Sequence, residues 1–478
     1  MAINRRILEN TSILAGSQAV AQLANFGFVV VFARTFGADI LGEYSSALSL
    51  GAIIAVFTSL GSRQLIVRAA SQDLGQWNVL YGILLPVQLL TSTIAVALIA
   101  VGMWLLGTRG TVFWVALTVC AFQLIKPLTA TTSAAFSARE QMTYAALSES
   151  VLKIGIFIVS TTLIWSGLPA SAATATMPAI TLLVVLALYR LATGEFGRPM
   201  YRLDFSGFVF LLRSALPFLS ISVSSILFVR VGVLMLRTIN GAEAVGFFSA
   251  VERIVAAGVM LVTMLSSAIF PQLVKLWHAD RSQFTKLGEQ AQRLILLATL
   301  PGATLLTLFS EDLVLLIFGP TYTMSVEVLR IVAWLLVIRG VASVNSSIAL
   351  AQHRQHDVVL SKVLGLLILV VGCNLLAPRY SATGLAISII LAELCSLSLI
   401  LWRQDESLLV WSLLRNVARI LIACLAAALA FQIFDEHALW IRGLAVLASG
   451  ISALWVVRAI SSHDVNHFVM LIRPHKQT

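Results

Sequence analysis

The sequence predicts an all-α polytopic membrane protein with about fourteen transmembrane helices, arranged as two parallel six-helix lobes followed by a C-terminal helix pair. Three observations carry this. Of 478 residues, 59% are hydrophobic and 11% charged, against roughly 45–50% and 25% in soluble proteins. Mean hydropathy is +0.94, so too few polar residues exist to clothe the surface of soluble domains. Apolar runs of spanning length recur along the whole chain, and a segment of the first half returns in the second.

Taken in order, the runs lie at about 11–33, 41–62, 78–105, 112–135, 147–167 and 169–190. The first follows Arg5 and Arg6 and resembles a signal peptide, but it is too long and lacks a cleavage site. It reads as the first span. A polar linker, Leu191 to Ser206, contains Gly194, Gly197 and Pro199 and marks the clearest boundary. Further runs lie at about 214–238, 244–270, 293–310, 325–350, 356–378 and 381–402, and a final pair at about 412–434 and 438–460. The expected organisation is an N-lobe over 1–200, a C-lobe over 201–405, and the last two spans with a tail over 406–478.

Loop charge tests this division, because misplaced spans would scramble the alternation of basic residues. With the N-terminus cytoplasmic, the inner segments carry 21 Lys and Arg and the outer segments 5. The net charge of +10 is therefore mostly an orientation signal, and nucleic acid is not the expected partner. Both termini are expected in the cytoplasm. Cys120, Cys373, Cys395 and Cys424 lie in apolar runs without CxxC pairing, so neither a metal site nor a disulfide framework is indicated. No lysine follows a glycine, which excludes a phosphate loop and ATP hydrolysis by that route. All seven histidines fall in loops or tails, and His463 with His467 lacks the acidic context of a metal site. No cofactor is expected.

The internal repeat is legible by eye. The segment from Arg34 reads RTFGADILGEYSSA and that from Arg237 reads RTINGAEAVGFFSA. Each joins the first helix of its half to the second. Six helices separate the copies, an even number, so the halves share one orientation, as in transporters built around a central cleft.

These segments resemble a known family. Ala33 to Ser49 is similar to the opening element of the polysaccharide (O-antigen, Wzx-type) flippases of the multidrug/oligosaccharidyl-lipid/polysaccharide superfamily. Leu216-Pro217-Phe218-Leu219, Ala244 to Ala250, Phe318-Gly319-Pro320-Thr321-Tyr322 with Val328-Leu329-Arg330, and Pro378-Arg379-Tyr380 with Thr383-Gly384-Leu385-Ala386 resemble further elements in the family's order. The resemblance covers about 30 to 400. It implies two six-helix bundles in the bacterial inner membrane and transfer of an undecaprenyl-pyrophosphate-linked oligosaccharide to the outer leaflet. Its implied partners are that polyprenyl-linked glycan, the lipid bilayer, and polysaccharide polymerase or export machinery. One departure stands out: many members carry an acid in the seventh helix where this chain has Gly232.

Charges inside predicted spans are expensive and mark function or pairing. Lys126 and Arg339 are 213 residues apart, the same offset as the starts of the fourth and tenth helices. They thus occupy matching places in the two lobes, and neither has an acid within a turn or two on its own helix. Given the diphosphate that the resemblance implies, both are expected to hold it. Arg230 and Arg253 flank the turn between the seventh and eighth helices. Two roles stay open for them: lining one wall of the cleft with the diphosphate, or pairing with Glu252 and Glu393 respectively. Glu149 with Lys153, and Glu327 with Arg330, are expected as ion pairs near the span ends. Glu393, then Glu252, is the candidate for ion coupling.

Within transporters, a lipid II flippase and a cation-coupled drug exporter are the alternatives. The exporter would favour carboxylates in the first helix, which has none. A membrane glycosyltransferase or polymerase would need a large outer loop with catalytic residues, and the longest expected outer loops are about fifteen residues.

Overall fold

The computed structural model describes residues 2–59, 61–70, 75–139, 141–201, 205–404 and 407–433, together with 443, 445, 446, 448 and 449. The expected fourteenth span and the tail lie outside the described residues, as do the side chains of residues 1–15 and 205–222. Among the described residues the chain is helical throughout, without a strand.

The helices are α1 (Ala2–Ser59), α2 (Ser62–Ala70), α3 (Gly75–Leu105), α4 (Gly110–Ala138), α5 (Met142–Trp165), α6 (Ala170–Phe196) and α7 (Phe205–Asn240). They continue as α8 (Ala242–Ala279), α9 (Arg281–Leu308), α10 (Ser310–Phe318), α11 (Ser325–Val332), α12 (Leu335–Ala351), α13 (Gln355–Trp402) and α14 (Ser407–Ile433). Among the described residues, ten are long and apolar enough to cross a membrane. The chain is a multi-pass membrane protein. Two of these ten are helix pairs running through a kink: α1 turns at Gly37 (φ 79°) and α13 at Ser381 (φ 51°). These are the junctions between the first and second, and the eleventh and twelfth, predicted spans. The tenth predicted span is broken into α11 and α12.

Spanning helices must satisfy every backbone group internally. Several carry an internal proline, among them Pro86, Pro127, Pro178, Pro271, Pro301 and Pro378, which neighbours in a bundle tolerate. Apolar side chains face outward: Leu98, Leu183, Leu261, Leu375 and Leu425 are exposed, as lipid contact requires. Trp104, Trp114 and Trp165 are exposed beside the α3–α4 and α5–α6 turns, the belt that indole rings form at a bilayer surface. Asp280 caps α9, accepting from the amides of Ser282 and Gln283 at 2.9 and 3.1 Å.

The contacts define two compact units. The first comprises Met1–Ala250, Ile317–Tyr322 and Val370–Leu385; the second comprises Val251–Leu316, Thr323–Leu369 and Ala386–Thr478. In the first unit α4 is central, packing on α1, α3 and α6. One end is sealed by Trp77, Tyr81, Phe136 and Phe196. In the second, α9 packs on α12 and α14 through Leu296, Leu300, Ile338 and Ile420.

The repeat returns in three dimensions inside the first unit. A Cβ added to Gly42 would sit 1.7 Å from the Ala242 carbonyl oxygen, and one added to Gly246 would sit 1.9 Å from that of Ala38. Ala38 and Gly42 are the repeat equivalents of Ala242 and Gly246, each pair 204 residues apart. The contact is therefore reciprocal: each copy presents its glycine to the other copy's backbone. Arg237 pairs with Glu43 beside it. Phe247 stands where the second copy would need an acid, and Arg34 instead donates to the Ile317 carbonyl at 2.7 Å. Tyr322 of the Phe318–Tyr322 motif is fully buried and donates to the Ala33 carbonyl at 3.2 Å.

Candidate functional site

Within the first unit a cavity of about 880 Å³ opens among α1, the α1–α2 junction, α4 and α5. Its wall mixes small apolar residues such as Ala52, Ala130 and Ala146 with polar ones. Gln18 and Ser59 come from α1, Gly61 from the junction, Ser62 and Arg63 from the start of α2, Gln123, Lys126, Thr129 and Ser133 from α4, and Ser148 and Glu149 from α5. Pro127 lies in the wall beside Lys126. Because proline has no amide hydrogen, the carbonyl one turn earlier loses its helical donor, adding acceptor character to the cavity.

Lys126 is half-buried; its carbonyl accepts from Thr129 Oγ1 at 2.7 Å, and Glu149, Lys153 and Arg230 act on its ammonium electrostatically. Glu149 reaches Lys153 at 3.0 Å, the i,i+4 pair expected from their spacing. Lys126, Lys153 and Arg63 all act electrostatically on Glu149. Three cations thus act on one carboxylate, and the cavity lining itself carries two cations, Lys126 and Arg63, against Glu149, a net charge of +1. Lys126 and Arg63 can each give charge-assisted hydrogen bonds to an anion such as a phosphate, with hydroxyl and amide side chains beside them for sugar hydroxyl groups.

The other expected site residues lie elsewhere. Arg230, half-buried on α7, acts electrostatically on Lys126. Arg339 on α12 belongs to the second unit, where its Nε donates to Glu393 at 2.8 Å. Lys362 on α13 takes the other carboxylate oxygen at 3.2 Å. Glu393 is 2% exposed, so the group is a buried clasp between α12 and both halves of α13. Arg253, the other partner considered for Glu393, is half-buried on α8, and its Nε is buried without a hydrogen-bond partner among the described residues. Glu252 is half-buried on the same helix. Arg330 donates to Ser310 at 3.0 Å, where Glu327 was the expected partner.

By sequence Arg63 falls just past the second apolar run, among the 21 basic residues of the inner segments, yet it lines the cavity with Lys126. The signal that marks it is a Gly-Ser pair immediately before it, Gly61-Ser62, at the end of an apolar run. Among the described residues no group of three or more His, Cys, Asp or Glu is placed to hold a metal ion.

The profile described as "Polysaccharide biosynthesis protein" matches residues 7–277. No curated protein sequence matches the chain. Among solved structures, the lipid II flippase MurJ in an inward closed conformation aligns with a TM-score of 0.76 at 15% identity, covering 96% of this chain and 99% of that one. A MATE-family multidrug resistance transporter of the MOP superfamily, in an inward-facing conformation, aligns with a TM-score of 0.66 at 14% identity, covering 80% and 93%. The MATE multidrug transporter DinF-BH, bound to R6G, gives 0.58 at 16%, covering 82% and 94%. The chain shares the fold of these transporters, and it belongs to the polysaccharide biosynthesis protein family.

Proposed function

We propose that the protein is a flippase that moves an undecaprenyl-pyrophosphate-linked oligosaccharide, a repeat unit of a cell-surface polysaccharide, from the inner to the outer leaflet of the bacterial inner membrane. Both termini face the cytoplasm in this reading, and polysaccharide polymerase or export machinery would receive the product. The observation that carries it is the cavity of the first unit, whose wall brings the two cations Lys126 and Arg63 together with Gln18, Gln123 and several hydroxyls. A diphosphate esterified at both ends carries two negative charges, and the family description supplies the glycan. The prenyl chain stays in lipid, which the outward-facing leucines already contact.

MurJ supports a second reading, a lipid II flippase, because its alignment covers nearly the whole of both chains. The family profile favours the polysaccharide. A drug exporter fits less well: the cavity is net basic and repels cationic compounds. The test is glycan export in cells lacking the gene, complemented by the wild type and by Lys126→Gln at matched membrane levels. Restoration of peptidoglycan precursor export instead of surface polysaccharide would assign lipid II.

A further inference from the structure

The α1–α2 junction is held by a closed ring of hydrogen bonds that the headgroup reading does not use. Gln88 on α3, Ser62 at the start of α2 and Thr131 on α4 are 1%, 2% and 0% exposed. Gln88 Nε2 donates to the Ser59 carbonyl at 3.0 Å and to Ser62 Oγ at 2.8 Å. Thr131 Oγ1 donates to Gln88 Oε1 at 3.0 Å and lies 2.7 Å from Ser62 Oγ. The Ser59 carbonyl can only accept, which fixes the amide with its NH₂ toward the break and sets the direction of the ring. Gln88 then donates to Ser62, Ser62 to Thr131, and Thr131 to Gln88, with the Pro127 carbonyl, also 3.0 Å from Thr131 Oγ1, sharing that last hydrogen.

The ring sits where the backbone needs it. α1 ends at Ser59 and α2 begins at Ser62, with Gly61 at φ 63° between them, so the last carbonyls of α1 lose their helical donors. Gln88 supplies one. The residue after Ser62 is Arg63, and Thr131 lies little more than a turn beyond Lys126 on α4. One buried side chain on α3 therefore ties together the two helices that carry the cavity's cations.

We propose that Gln88 is a positioning residue: by pinning the α1–α2 break to α4 it sets Arg63 at the spacing from Lys126 that grips the two phosphates of a lipid diphosphate. This rests on the headgroup reading. Without the ring, α2 is free to shift against α4, and Arg63 contributes charge without geometry. A monophosphate, needing one cation, is far less sensitive to that shift.

The experiment uses the full chain in nanodiscs, with farnesyl diphosphate and farnesyl monophosphate as probes. Arg63→Gln and Gln88→Met are each expected to weaken diphosphate binding by about tenfold, as loss of a hydrogen bond to a charged group does. In the double variant the loss stays about tenfold, because Gln88 acts through Arg63, whereas multiplicative losses overturn the proposal. Thr131→Ser, which keeps the ring, is expected to bind as the wild type does, and Thr131→Val to behave like Gln88→Met. A second arm needs no ligand: spin labels at Val67→Cys on α2 and Ser137→Cys on α4, both lining the cavity, should give a narrow distance distribution that Gln88→Met broadens. An unchanged distribution in folded Gln88→Met overturns the proposal. If the wild type binds neither probe, the headgroup reading fails while this arm still decides whether Gln88 holds the break.

Discussion

Replacing Glu393 by Gln removes the carboxylate from between Arg339 and Lys362 while keeping the side chain's shape. The carboxylate side chain is 3% exposed, and the two cations are 19% and 24% exposed. Removing one partner of a buried ion pair costs about 3–5 kcal/mol, because the other charge is left uncompensated. Both cations here are only partly buried, which places the expected loss near the lower bound, about 3 kcal/mol. At roughly 2–4 °C per kcal/mol for a unit of this size, the second unit should unfold about 6–12 °C lower. The assay is thermal unfolding of purified protein in detergent, with transport measured per folded molecule. Glu393→Gln/Arg339→Met should recover part of the loss, since it removes one of the two stranded charges as well. The reasoning is refuted if Glu393→Gln melts like the wild type while its transport loses pH dependence. That result would make Glu393 an ion-coupling residue rather than a clasp.

Further predictions follow from close approaches and backbone strain. Gly42→Ala and Gly246→Ala each drive a methyl group into a backbone carbonyl of the other repeat copy; each should destabilise the first unit by about 1–3 kcal/mol in thermal melts. The double variant should cost less than the sum, since one separation of the two backbones relieves both clashes. Ser381 holds φ 51°, where a side chain is strained by about 1–2 kcal/mol; Ser381→Gly should therefore raise the melting temperature, less the entropy that glycine adds to the unfolded chain. Arg237→Gln leaves Glu43, whose side chain is 12% exposed, without its cation, and should lower stability more than the exposed-residue change Arg34→Gln.

The spans were legible because each is an uninterrupted apolar run, and the repeat because its glycines and alanines keep their order. Those same glycines turned out to touch one another across the copies, which spacing alone does not reveal. Lys126 could be found from its depth in an apolar run. Arg339 looked equivalent by the same criterion, but its partner Glu393, which Lys362 shares, is 54 residues away in sequence, and only tertiary packing brings them together. Arg63 was missed for the opposite reason. It follows the end of a span and so reads as a loop charge, until the Gly61 break and the Gln88 ring bring it to the cavity wall.

The central claim is that the first unit's cavity grips the diphosphate of a lipid-linked oligosaccharide through Lys126. The most direct test is leaflet-to-leaflet movement of an undecaprenyl-pyrophosphate-linked oligosaccharide in liposomes containing purified protein, comparing wild type, Lys126→Arg and Lys126→Gln at equal folded amounts. Loss of a charge-assisted hydrogen bond to phosphate predicts a reduction of about tenfold or more for Lys126→Gln, with Lys126→Arg retaining a substantial part of the rate. Wild-type movement by folded Lys126→Gln would contradict the account.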